Sequence, residues 1–238
     1  MFEWIPADCQ DYIQTYLETF YTLIQRTLEN GDELRSWKDE FQEYFFLVLQ
    51  ALTYLSNISL EVADALVKIA IKCFDDRKEV FDEALMMMQT LCYKLESQFD
   101  QFVTHIGPYL FHSLKDTKTL KQASSTITSI CTYVQSKQIL EGFKDYTPVL
   151  FNHLSNSSLE IEVFEQVLGT LVETYGIVQG EFSPYFDQLR SAIQLQMQKS
   201  VEIMDKLDKE EMLNSKKIHN SIIESLVSIS FTLQDYES

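Results

Sequence analysis

Apolar residues recur at three- and four-residue intervals along most of the chain, the spacing that gathers them on one face of an α-helix. Over residues 8–28 this stripe runs through Ile13, Leu17, Phe20, Tyr21, Ile24 and Leu28. Asn30-Gly31 ends it with residues that tolerate a left-handed backbone. Over 34–55 the stripe passes through Phe41, Phe45, Val48, Leu49 and Leu52. Ser59 is placed to cap a third helix over 60–74, with Val62, Leu66, Ile69, Ala70 and Cys73 inward. Three helix pairs follow, over 80–95 and 99–114, 120–134 and 143–154, and 159–175 and 182–197. Pro108 and Pro148 fall inside two of these helices and should kink them or draw their starts toward the proline. A charged stretch over 199–215 interrupts the stripes, which resume through Ile222, Leu226, Ile229 and Leu233.

The second helices of two successive pairs echo each other. Pro108, Leu110, Phe111 and Leu114 reappear as Pro148, Leu150, Phe151 and Leu154, each at an offset of 40. An aromatic pair precedes each block, Phe99 with Phe102 and then Phe143 with Tyr146, and Phe182 with Tyr185 opens a third. A period near 40 in a helical chain points to HEAT or armadillo units. One such unit cannot bury its own apolar face, so units stack into an α-α superhelix with an extended surface suited to binding. The expected fold is all-α, a single solenoid array over residues 1–238 with about five to six helix pairs. Neither end carries an obviously polar outer face, which points to a piece of a longer solenoid.

Charge adds a class of partner. The chain carries 36 acidic and 19 basic side chains, a net −17. Residues 1–66 hold 12 acids to 3 bases and 139–198 hold 8 to 2, whereas 67–138 hold 8 to 9. A field of this sign repels nucleic-acid phosphates and anionic lipid and steers basic partners. The plainer reading of the same charge is a solvated acidic surface. Cys9, Cys73, Cys92 and Cys131 form no CxxC, and the last two sit among apolar helical positions as small hydrophobes. A reducing compartment, cytosolic or nuclear, is therefore expected. No apolar run reaches the roughly 18 residues of a membrane span, and the first residues do not resemble a signal peptide.

Catalytic chemistry finds little support. His105, His112, His153 and His219 are scattered, and no Cys or carboxylate completes metal-ligand spacing around the first two. Phosphate-loop, dinucleotide, nucleophile-elbow and zinc-protease signatures are absent. Met86-Met87-Met88 has the adaptability of a binding surface, yet consecutive positions face different ways, so at least one is core. No enzyme, cofactor or metal is expected.

The string Asp82-Glu83-Ala84-Leu85-Met86, Leu91, Glu96-Ser97-Gln98-Phe99-Asp100-Gln101-Phe102, Pro108-Tyr109-Leu110 and Leu114-Lys115 resembles the later HEAT repeats of the importin-β family. Phe143-Lys144-Asp145, Leu154-Ser155-Asn156, Val167-Leu168-Gly169 and Gly180-Glu181-Phe182-Ser183-Pro184-Tyr185 continue it in register. The resemblance is clearest over residues 80–195. It implies a nuclear transport receptor segment, found in cytoplasm, nucleus and at the nuclear pore, with a superhelical concave face lined by second helices. Basic cargo or the importin-α adaptor would bind there. The amino-terminal repeats that grip the Ran GTPase, and the acidic mid-array loop, have no counterpart in this sequence. Ran binding is expected only through such absent repeats.

The acidic excess nominates Glu61, Asp64, Asp100, Asp145, Glu181 and Asp187, on second helices or their corners, for contact with basic cargo. The resemblance implies an FG-nucleoporin pocket between neighbouring first helices, with Leu91 and Leu168 at matching apolar positions and Met88 and Phe164 as walls. The alternative for these four is ordinary inter-repeat core. The rival function is a HEAT-repeat scaffold subunit of a non-transport complex, of phosphatase or assembly type.

Overall fold

The computed structural model describes residues 58–76, 81–136, 147–156, 159–178 and 186–204, with separate helical positions between 15 and 54, at 142, and between 216 and 227. Among the described residues seven α-helices have defined bounds: α1 (Leu60–Asp76), α2 (Phe81–Leu95), α3 (Asp100–Ser113), α4 (Leu120–Ser129), α5 (Thr147–Leu154), α6 (Ile161–Val178) and α7 (Phe186–Met204). Among the described residues no element is a strand, and the fold is an all-α solenoid of helix pairs. The helix expected over 8–28 is described only at Thr15, Thr19 and Thr22, all helical, and that over 34–55 is helical at positions 47, 48, 50, 51, 53 and 54.

The packing divides into two compact units, residues 1–109 with 133–136, and residues 110–132 with 137–238. In the first, α1 packs on α2. Ser59 caps α1 as expected, its Oγ accepting the Val62 N–H at 3.3 Å and its carbonyl the Ala63 N–H at 3.0 Å. Ala63, Leu66, Ile69 and Ala70 of α1 are buried, as are Leu85, Met87, Met88, Leu91 and Cys92 of α2. Met86 alone of the methionine run is part-exposed. A 3₁₀ turn over Glu96–Phe99 joins α2 to α3. Phe99 and Phe102, the recurring corner pair, lie with ring centroids 5.6 Å apart. Phe74 touches both Phe81 (4.6 Å) and Tyr109 (5.3 Å), closing the apolar end of this unit.

The first helices end in the same way. Glu96 follows α2 at φ 47°, and Gln135 follows a π-helical turn, Ile130–Val134, at φ 56°. Both occupy the left-handed region where glycine is usual. Pro148 sits second in α5, as its effect on helix starts predicts. Pro108 does not shift a start: α3 runs through it, because the Phe99–Phe102 corner sets the beginning of the helix.

In the second unit α4 packs along α6, and α5 packs on both α6 and α7. The α4–α6 seam mixes apolar and polar contacts. Leu120, Ala123 and Ile127 are buried, as are Phe164, Val167, Leu168 and Leu171. Thr170 Oγ1 lies 3.1 Å from the Ser124 carbonyl, 2.9 Å from Thr128 Oγ1 and 2.9 Å from the Gln166 carbonyl of its own helix. His153 Nε2 lies 2.9 Å from the Leu114 carbonyl, which can only accept, so this nitrogen carries the proton. The corners repeat at the same offset of 40: Asp116 N–H donates to the Ser113 carbonyl at 3.3 Å, and Asn156 N–H to that of His153 at 2.9 Å.

Two glycines separate by their surroundings. A Cβ on Gly142 would stand 2.7 Å from the Phe111 ring, whereas one on Gly169 of α6 would meet nothing within 4 Å. Gly169→Ala should therefore stabilise the protein by about 0.5–1 kcal/mol, the ordinary helix-interior gain. Gly142→Ala should cost about 1–3 kcal/mol through overpacking against Phe111. Urea titration of the two variants checks both signs.

Candidate functional site

Three of the carboxylates expected to meet cargo occupy one structural position. Glu61, Asp100 and Asp187 lie in the first turns of α1, α3 and α7. There a negative side chain also complements the helix dipole and the unbonded N–H groups. Helix stability therefore accounts for their sign without a partner. Glu61 and Asp187 are exposed. Asp100 is part-buried, and its Oδ1 is enclosed with no hydrogen bond. Asp64, one turn into α1, pairs with Lys68. Asp145 and Glu181 lie outside the described residues.

The four positions read as an FG pocket all point inward. Met88 and Leu91 belong to the core of the first unit, and Phe164 and Leu168 to that of the second, each without exposed surface. The outer edge of the α4–α6 seam carries polar groups instead. Lys121 Nζ and Glu162 Oε2 bridge it at 2.8 Å, both side chains about half-exposed. The lysine holds the Glu162 carboxyl below its ordinary value, chiefly through that hydrogen bond.

The sequence reading missed an exposed aromatic strip. Tyr54, Tyr93 and Tyr133, 50%, 48% and 42% exposed, stand at offsets of 39 and 40 at the ends of successive first helices. The rings of Tyr54 and Tyr93 stack at 6.2 Å with planes 17° apart. Tyr133, within the π-helical turn, meets Tyr93 edge-on at 5.4 Å. Lys94 Nζ lies 5.3 Å from the centre of the Tyr54 ring. The repeat period was the available signal, but tyrosines within apolar stripes pass for core.

Cys73, Cys92 and Cys131 are buried thiols outside any disulfide. Burial and the nearby Glu173 charge push Cys131 up to about 12. Among the described residues no group of three or more His, Cys, Asp or Glu could hold a metal ion, and no helix is long and apolar enough to cross a membrane.

Two outcomes follow from this burial. Leu168→Ala should cost about 2–5 kcal/mol by opening a cavity, read as a lowered urea midpoint. Cys131 should resist alkylation at pH 8 in the native protein and react in denaturant. Its raised pKa means folding opposes the thiolate, so stability should fall as pH rises above the unfolded value of about 9. Mass-resolved iodoacetamide labelling and a pH series of melts measure the two effects.

Comparison with solved structures finds a crystal structure of an engineered protein, 16% identical, covering 87% of this chain and 96% of that one at a TM-score of 0.48. A family profile described as "Importin subunit beta-1-like, TPR repeats" matches residues 7–238. TPR units are about 34 residues long, whereas equivalent positions in this chain, such as Tyr54, Tyr93 and Tyr133, recur at 39 and 40. The helix-pair architecture is common to both descriptions, and the importin-β-like string of residues falls wholly inside the match. The chain belongs to the importin subunit beta-1-like family, as a transport-receptor-like segment of helical repeats.

Proposed function

We propose that this chain is a binding segment of a nuclear transport receptor, working without catalysis between cytoplasm and nucleus and at the nuclear pore. The family match over residues 7–238 carries the reading. The net charge of −17 supports it, because a basic cargo or the basic helix of the importin-α adaptor is the complementary partner. Exposed Glu61 and Asp187, both on second helices, are the described carboxylates best placed to pair with Lys or Arg. Asp145 and Glu181 join them on the acidic excess over 139–198. Each exposed ion pair contributes about 0.2–1 kcal/mol, so affinity is gathered from many contacts.

FG nucleoporins are the second proposed partner. Capture at Met88 and Leu91, or at Phe164 and Leu168, requires the covering helices to part, because none of the four has open surface. A phenylalanine ring admitted there gains about 1.5–3 kcal/mol of burial before the cost of parting. One observation favours the rival, a scaffold subunit of a non-transport complex. The first-turn acids and the buried apolar residues each have a sufficient structural role.

The test is retention of the full chain on immobilised importin-α basic helix and on an FG-repeat peptide, with Phe→Ser peptide as control. Binding to both, with Glu61→Gln plus Asp187→Gln weakening the basic partner about two- to thirty-fold, is the expected result. Equal retention on FG and Ser peptides, with no binding of the basic helix, would reject transport in favour of the scaffold.

A further inference from the structure

We infer that the strip formed by Tyr54, Tyr93 and Tyr133 is a docking site for an extended peptide carrying arginine at alternate positions. The inference stands on ring geometry and charge and does not require the transport reading. Three rings recur at the repeat period, touch one another, and keep between 42% and 50% of their surface open. A core position would have lost that surface, and three unrelated surface tyrosines would not meet. The steps along the strip, 6.2 and 5.4 Å, lie near the roughly 6.6–6.8 Å between alternate residues of an extended chain. Side chains i, i+2 and i+4 of such a peptide would each find a ring.

Charge selects the occupant. Tyrosine faces attract cations, and guanidinium groups stack on them better than ammonium groups do. The protein already seats a cation of its own here, Lys94 against Tyr54 at 5.3 Å. Exposed Glu96, three residues after Tyr93, supplies a carboxylate at the end of the same helix. The net −17 draws basic segments toward the protein as a whole, while the stretch over 67–138 that holds Tyr93 and Tyr133 is itself balanced at 8 acids to 9 bases, so that the ring faces make the local selection. Tyr133 also rides on a π-helical turn, an uncommon feature that concentrates at functional sites. Lys94 acts as a resident competitor, and an arriving arginine displaces its ammonium from Tyr54.

The experiment is fluorescence anisotropy of a labelled, end-blocked Arg-Thr-Arg-Thr-Arg peptide with the full chain. Three further peptides are compared, carrying Lys, citrulline or Phe in place of Arg. Tyr54→Ser and Tyr93→Ser should each weaken the arginine peptide about two- to five-fold, the weight of one exposed cation–π contact. Lys94→Gln should strengthen it by a similar factor, although it makes the protein more negative by only one charge; Lys72→Gln, the same charge change on α1, should leave affinity nearly unaltered. Circular dichroism melts confirm that each variant folds. Two results would overturn the assignment. One is undiminished binding to folded Tyr54→Ser and Tyr93→Ser, which leaves only diffuse charge attraction. The other is a Phe peptide binding as tightly as the Arg peptide, which makes the strip an apolar dock.

Discussion

Within the second unit a helix pair has more apolar surface than its own two helices cover, and the remainder is buried against the first helix of the next pair. In the second unit α4 and α6 are both first helices, about 41 residues apart, and they lie side by side with Leu120, Ile127, Phe164 and Leu168 closed off from water. Burial of such side chains stabilises by about 1.5–3 kcal/mol each, far more than the exposed Lys121–Glu162 bridge above them. The stack is therefore held by its apolar seam. Thr170 Oγ1 lies within hydrogen-bond distance of the Ser124 carbonyl and Thr128 Oγ1 across the seam and of the Gln166 carbonyl in its own helix, so these polar contacts satisfy the buried hydroxyl without adding much to the seam's strength.

That economy shapes what the protein can present to partners. Residues needed for stacking are withdrawn from the surface, and Met88, Leu91, Phe164 and Leu168 are withdrawn completely. What remains open is helix ends, corners and the outer faces. First-turn carboxylates such as Glu61 and Asp187 serve a helix dipole and remain available to a basic ligand, since one exposed charge can do both. Tyrosines 54, 93 and 133 follow the same logic on the first helices, where repetition of one exposed position builds a surface that no single unit has.

The helices and their pairing were legible in the sequence because they rest on local rules. A stripe at 3.6-residue spacing and a serine at position 59 are read within one turn, whereas the left-handed Glu96 and Gln135 carry no such local signal. Most observed helices begin and end within a few residues of those readings, α2 and the α4–π segment almost residue for residue, but α7 runs on to Met204, seven residues past its expected end at 197 and into the charged stretch expected to interrupt the stripes. The buried cysteines were legible for the same reason, and so was the importin-β resemblance, which is an ordered string along the chain.

Tertiary structure decided how successive units slide and turn against each other, and the candidate site depends on that. Whether an apolar residue lines a groove or fills a seam is a matter of an ångström or two between helices forty residues apart, and no local pattern encodes it. Leu168 and Tyr133 both sit in the apolar periodicity of first helices, yet one is sealed and the other half-open. The difference arises because a π-helical turn and a left-handed Gln135 end one helix, while Leu168 lies mid-helix against α4. Periodicity along the sequence determined which faces are apolar; only the stacking of one unit on the next decided which of those faces reach solvent.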